Sequence, residues 1–341
     1  MNQTLRCSGM EQIYAQLSRR RLWEEYQTST TENISVSEVW HEDSSRREVT
    51  VHRTITISTI ASWLRDTTKR TPEGLSCSAK FAWVQSDETR IRRDIQSTAL
   101  HKLLYEFGLQ KADEFYASAF AGSFVLPVQP SAAQHIRCYC FSYHPKLAVI
   151  WSQDCNANVI QGVVFATAPQ IFALRELLGA EWRLSTHEMM PAFIVSFMLS
   201  SEIDQIHIKI KKCVREVEVR TGYHQFTNRR EEAAADTLGE LSAKMSGHAA
   251  KLASTTRKMR ALSDLHEFIL EHTNENKIAS EDAMLESNSA EVLRSHITLM
   301  QKRLKMQMLD NDYILERVGV QRSAVSRIYY FHTAKCYERI G

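Results

Sequence analysis

Leu238-Gly-Glu-Leu241-Ser-Ala-Lys-Met245-Ser-Gly-His248-Ala-Ala-Lys-Leu252-Ala-Ser-Thr255-Thr-Arg-Lys-Met259-Arg-Ala-Leu262 is the stretch whose reading decides the architecture of this chain. The numbered residues recur in steps of three and four, and the series continues through His266 and Ile269. That spacing holds a seam on one face of a helix. Histidine and threonine interrupt the apolar members, so the seam is a mixed packing face and not a clean zipper. No proline follows Pro191, and between Glu232 and Arg339 only Gly239, Gly247 and Gly319 dilute the helical pattern. Two long helices are therefore predicted near 232–272 and 289–334. Asn288 is placed to cap the second, with Glu291 completing the reciprocal pair. Its apolar face runs through Leu293, Ile297, Met300, Leu304, Met308, Leu315, Val318 and Val325. At 1.5 Å per residue such a helix is roughly 70 Å long, and its stripe must be covered by something. Two readings stay open: an antiparallel pair within one chain, or a stalk that also meets copies of itself. The expected association stripe is Leu238, Leu241, Met245, Leu252, Met259, Leu262, Leu293, Ile297, Met300, Leu304, Met308 and Leu315.

Upstream the period changes. Val49–Ile57 alternates with period two and is rich in β-branched residues, which predicts a half-buried strand. Further strands are expected at 79–84, 136–143 and 147–151, with short helices after Ser58 and over 98–107, the latter closed by Gly108. Residues 155–168 are ambiguous between strand and loop. From Pro169 the pattern is helical again: a short helix ends at Gly179, and a longer one near 188–220 ends at Thr221-Gly222. The fold class is thus α+β, a small N-terminal α/β layer followed by a mostly helical region. The expected divisions are an N-terminal helix and joint over 1–30, an α/β domain over 31–168, and a helical domain over 169–341.

Charge gives no global signal. The 341 residues carry a formal net charge of +2 with 24% charged residues, so no nucleic-acid partner is expected. Basic runs such as Arg19-Arg20-Arg21 and Arg229-Arg230 are followed at once by glutamates, the mark of solvated helix faces. Seven scattered cysteines argue for reduced thiols in a cytoplasmic setting. The N-terminus has no apolar leader core. The longest apolar runs, 117–128 and 189–199, fall short of the about 20 residues that cross a bilayer. A soluble chain without a membrane span is expected.

Candidate chemistry is sparse. Cys138-x-Cys140 with His144 and Cys155 is the nearest approach to a metal set, but its spacing is not that of a zinc site. His41-Glu42-Asp43, His187-Glu188 and His266-Glu267 lack the second histidine of a metalloprotease helix, and all three are expected as exposed polar residues. No glycine-rich phosphate loop or nucleophile elbow occurs. Tyr329-Tyr330-Phe331 is expected to pack between helices, not to stack on bases. No catalytic residues and no cofactor are assigned, and no enzyme is expected.

His187-Glu-Met-Met-Pro-Ala-Phe-Ile-Val195 and Glu216-Val-Glu-Val-Arg-Thr-Gly222, followed by Arg303-Leu-Lys-Met-Gln-Met308, resemble in order the cytosolic part of the CorA-like metal-ion (magnesium) transporters. The likeness is to the divergent fungal members. It covers about 169–334, and the first half matches only in order of elements. Two departures stand out. The proline of the family's H-P-x-x-L segment is shifted to Pro191, and the chain closes at Glu338-Arg-Ile-Gly341 without the family's two membrane helices or Gly-Met-Asn signature. The resemblance therefore implies a pore-less relative or truncated product of a divalent-ion transporter, acting through helix association. Its partner would be itself or a full-length membrane homologue, which would bring it to a membrane. A regulatory divalent-cation site near Asp310 and Asp312 is likewise implied only by the resemblance. Two alternatives stay open: a helical scaffold unrelated to transport, and an enzyme with an unrecognised site in the α/β half.

Overall fold

β-Branched and aromatic residues are densest before Ala166, and there the sheet forms. The computed structural model describes residues 27–28, 32–42, 47–65, 75–86, 92–93, 97–109, 121–126, 136–143, 147–154, 159–178, 187–223, 235–275 and 283–340. Residues 10–26 of the N-terminal helix expected over 10–27 lie outside these residues, and Gln27 is in a strand. The strands are β1 (Gln27–Thr28), β2 (Asn33–Glu42), β3 (Arg47–Thr56), β4 (Leu75–Gln85), β5 (Arg92–Arg93), β6 (Ala121–Leu126), β7 (Ile136–Tyr143), β8 (Leu147–Asp154) and β9 (Val159–Ala166). The helices are α1 (Ile60–Arg65), α2 (Ser97–Glu106), α3 (Ala168–Leu178), α4 (Met190–Thr221), α5 (Ala235–Glu275) and α6 (Ala283–Ile340). The fold class is α+β, a seven-stranded mixed sheet followed by long helices.

The sheet runs in the order β3-β2-β4-β9-β8-β7-β6. Every neighbouring pair is antiparallel except β4 and β9, which run parallel and join the β6–β9 meander to the β2–β3 hairpin, on whose β2 side β4 is added. Both faces are covered. Ile34, Val36, Ala82, Val84, Ile150, Val163 and Phe165 point to one side, where Trp63 of α1 and Leu103 of α2 fill the core with Phe107. Phe81, Trp83, Val149 and Val164 point to the other, against Leu174 and Leu178 of α3 and Pro191, Ile194 and Val195 of α4. A strand covered on both faces loses its polar alternation, which is why β4 is buried over eight consecutive residues. At the parallel seam Phe81 is paired with Gly162. A Cβ there would lie 2.9 Å from the Phe81 ring, so the ring lies in the space that only glycine leaves open.

Two helix ends follow the glycine signals. Gly108 (φ 67°) closes α2 with its amide bonded to Tyr105 O at 3.0 Å, and Gly222 (φ 70°) closes α4 with its amide on Glu218 O at 3.0 Å. The cap expected at Asn288 is not the start of α6. The helix begins at Ala283, because Ala283-Met-Leu-Glu are good helix formers and a capping residue is a preference, not a stop.

The chain divides into two compact units, residues 1–198 with 264–297, and residues 199–263 with 298–341. The first holds the sheet. In the second, α4 and α6 run parallel, since their partners advance together: Ser200 with Gln307, His207 with Asn311, Thr221 with Gln321. α5 runs antiparallel to α4, as Lys258 reaches Glu202 and Lys244 reaches Glu216. Ile210, Val214 and Val217 of α4, Leu238, Leu241, Met245 and Leu252 of α5, and Ile314, Val318 and Val325 of α6 close the apolar core of this bundle. Among the described residues no helix is long and apolar enough to cross a membrane.

Candidate functional site

The thiols come first. Cys138 and Cys140 share a face of β7, as strand geometry requires, but that face is the apolar core against α1 and α2. Cys140 is fully buried, and Cys138 Sγ donates to Gly108 O at 3.4 Å. Neither is in a disulfide. His144 and Cys155 lie outside the described residues, and among the described residues no group of three His, Cys, Asp or Glu is placed to hold a metal ion.

Of the polar pairs expected at the surface, His187-Glu188 is in the interior, and so is His266, whereas Glu267 is exposed as expected. His187 Nδ1 accepts the Met189 amide at 3.1 Å just before α4 begins, which leaves Nε2 to carry the proton of the neutral ring. Burial pushes its pKa down to about 4. Glu188 is buried too: its Oε2 accepts the Tyr139 hydroxyl at 2.6 Å and its backbone carbonyl accepts Trp151 Nε1 at 2.8 Å. Burial, and then the Glu188 carboxylate, push the Tyr139 phenol well above its ordinary range. Tyr139 stacks on Trp151 at 5.3 Å and meets Phe268 and His272 edge-on. The segment that carries the family resemblance is thus an anchor onto the sheet. His266 on α5 is fully buried, neither ring nitrogen has a partner among the described residues, and burial pushes its pKa down to about 4. His41 is half-buried, with Ser76 Oγ 3.0 Å from its Nε2. The Glu42 side chain and Asp43 lie outside the described residues.

A second buried polar group was invisible to local pattern. Glu38 of β2 sits opposite Lys80 of β4, and both are fully buried. Glu38 accepts Trp40 Nε1 at 2.9 Å, Trp63 Nε1, and the Arg53 guanidinium. The Lys80 ammonium donates to Trp63 O and, at 3.2 Å, to Leu64 O, at the C-terminal end of α1, where a cation is favoured. Through Trp63 Nε1 on Glu38 and the Lys80 ammonium on the Trp63 and Leu64 carbonyls, this cluster fixes α1 on the sheet. Beside it an open groove of about 630 Å³ is lined by Arg53, Thr54, Thr56, Thr59, Ser62 and Trp63.

The expected association stripe is mostly consumed within one chain. Leu238, Leu241, Met245, Leu252, Met259, Leu262, Leu293, Ile297, Met300 and Leu304 are buried, Met308 is half-buried, and Leu315 is 41% exposed. The buried line of α6 instead runs Leu304, Gln307, Asn311, Ile314, Val318, Gln321, Val325 and Ile328, an unbroken series of three- and four-residue steps. Its polar members form a ladder. Gln307 Nε2 donates to Ser200 O at 2.9 Å and to Asp204 Oδ1 at 2.6 Å. Asn311 Nδ2 donates to Thr256 Oγ1 at 3.0 Å, and Asn311 Oδ1 lies 3.2 Å from His207 Nε2. Arg317 makes a two-pronged bond to Glu218 at 2.9 and 2.7 Å, and Thr221 donates to Gln321 at 2.7 Å. Burial alone would raise the Asp204 carboxyl, but the Gln307 amide and the Arg303 guanidinium outweigh it and hold it below the usual range. Asp310 is already neutralised by Lys211 at 2.5 Å, with His207 Nδ1 at 3.4 Å. Asp312 is exposed on the other side of the helix. The two aspartates do not converge on a cation site.

What α6 leaves open is its outer face. Leu299, Met306, Leu309, Tyr313 and Val320 are between 55% and 65% exposed. Leu299, Met306, Tyr313 and Val320 follow one another at intervals of seven, with Leu309 between them, which places them on one stripe. Tyr329, Tyr330 and Phe331 are exposed as well, against the expectation that they pack between helices. Adjacent residues on a helix point in different directions.

No family model matches the chain, and no curated protein is similar to it in sequence. Among solved structures it is similar to that of the full-length CmaX protein, with 11% identity and a TM-score of 0.44 over 92% of this chain and 83% of that one.

Proposed function

We propose that this chain is a CorA-like protein with an α/β layer and long helices, and that it acts in the cytoplasm by helix-mediated association, not by catalysis. The resemblance of the segments 187–195, 216–222 and 303–308, in that order, supports the CorA-like reading. Its partner is another copy of itself or a membrane-embedded homologue. The observation that carries the association reading is the outer stripe of α6, because exposed large apolar side chains in register along a helix mark a contact surface. The surface available to a partner is therefore Leu299 to Val320 on the outer face, and not the inner line through Leu304.

The test is light scattering over a concentration series, on the intact chain and on Leu309→Asp. The expected result is a mass that rises with concentration for the intact chain and stays monomeric for the variant, with equal helical content by circular dichroism. A mass that stays monomeric throughout for the intact chain, alone and mixed with a membrane homologue, overturns the proposal.

A further inference from the structure

Between Leu299 and Val320, Arg303, Asp310 and Arg317 are held by Asp204, Lys211 and Glu218, and the remaining charges are sorted by sign. Lys302 and Lys305 are exposed at one end, Asp312 and Glu316 at the other. Among the described residues none of the four makes an ion pair. Like charges three or four residues apart destabilise an isolated helix, and this helix carries such a pair in each block. Lys302 and Glu316 are fourteen residues apart, about 21 Å along the axis. Screening acts over about 8 Å at physiological salt, so one block does not relieve the other within a single helix.

The pattern also reads nearly the same from both directions about Leu309. Met306 stands three residues before it and Tyr313 four after; Leu299 stands ten before and Val320 eleven after. The charges invert across the same point, with Lys305 four before and Asp312 three after, and Lys302 seven before and Glu316 seven after. Two-fold contacts require a surface complementary to itself. An antiparallel copy meets that requirement. A parallel copy in register sets lysine against lysine and carboxylate against carboxylate.

We infer that the occupant of this face is a second copy of the same chain, lying antiparallel with Leu309 close to the two-fold axis. Lys302 then faces the partner's Glu316 and Lys305 the partner's Asp312. Met306 packs against the partner's Tyr313, and Leu299 against the partner's Val320. This rests on the association reading above and adds orientation and register to it. One helix face of this length buries less than the about 800 Å² per partner of a standard interface. The dimer is therefore weak, and a concentration series has to reach roughly 100 μM.

The experiment is sedimentation equilibrium on the full chain, with circular dichroism on every variant to verify equal helical content. All substituted side chains are exposed. Lys302→Glu with Lys305→Glu, and separately Asp312→Lys with Glu316→Lys, are each expected to raise the dissociation constant by about tenfold or more, because four cross-pairs turn from attraction to repulsion. The four substitutions together restore the intact chain's value to within about threefold, and high salt weakens the intact dimer. Self-association that neither double reversal weakens refutes the antiparallel register while leaving the association reading in place. A chain that does not self-associate at any concentration refutes the inference, and the proposed function then survives only if a membrane homologue binds.

Discussion

His266 makes the fold sensitive to acid, and the size of the effect follows from its surroundings. The ring is fully buried on α5, and neither nitrogen meets a partner among the described residues. Burial takes its pKa from 6.5 to about 4. Between those two pH values the unfolded chain takes up a proton that the native chain refuses. The stability present above about pH 6.5 is therefore lost as the pH falls through this window, and the loss levels off below about pH 4. At 1.36 kcal/mol per pH unit the full window amounts to about 3 kcal/mol, of which about 2 kcal/mol is lost between pH 7 and pH 5. His187, also pushed down to about 4 by burial, adds a contribution of the same sign. In His266→Leu the first contribution disappears. At pH 7 the variant should be as stable as the parent or slightly more so, since replacing an unsatisfied buried polar group by an apolar one costs little. Urea unfolding at pH 7 and pH 5 measures both chains. The parent should lose about 2 kcal/mol more than the variant across that interval. Equal losses refute the reasoning, as does a native-state imidazole titration by NMR that places His266 near 6.5.

Two further substitutions probe the frame. Arg317→Met leaves Glu218, whose side chain is 6% exposed, as a buried carboxylate without its two-pronged partner. A loss of about 2–4 kcal/mol is expected, and Glu218→Leu in the same chain should recover most of it in chemical denaturation; a silent single variant would refute the pairing. Gly162→Ala sets a methyl 2.9 Å from the Phe81 ring and 3.1 Å from Ile150 O, and should cost about 1–3 kcal/mol as a lowered melting temperature. An unchanged melt would show that the ring does not lie across Gly162.

The long helices were legible because three- and four-residue steps persist far beyond chance, and the glycine caps at Gly108 and Gly222 because only one residue type takes those angles at no steric cost. The line of contact on α6 was less so. A reading that follows apolar residues goes from Leu304 to Met308 and Leu315, whereas the buried line passes through Gln307, Asn311 and Gln321. Those three are inside because α4 and α5 supply their partners, about a hundred residues away in the case of Ser200, His207 and Thr221, and a local window cannot hold that information. β2 escaped notice for a related reason: Glu38 occupies a buried position in the strand and is satisfied by Trp40, Trp63 and Arg53. β9 stayed ambiguous because it is buried on both faces, which erases its period. His187-Glu188 was read as surface because charged residues seldom go inside unpaired; the hydroxyl and indole that pair Glu188 come from β7 and β8.

The two faces of α6 divide the work. On the inner face every polar rung is matched, Gln307 to Ser200 and Asp204, Asn311 to Thr256, Gln321 to Thr221. Sliding α6 by one turn would take each of these amides away from the partners that match it. An unmatched buried polar group costs about 1–3 kcal/mol, so the ladder selects one register where an all-apolar seam would tolerate several. Leu299, Met306, Leu309 and Val320 take no part in the ladder, and Tyr313 meets it only through the Arg317 guanidinium over its ring. Lysine and glutamate serve exposed helix positions as well as leucine or methionine does, and better than tyrosine or valine, so helix propensity does not account for an apolar stripe there. The association proposed above assigns that stripe to a partner, and the unpaired charges on either side of Leu309 are what give the proposal its direction.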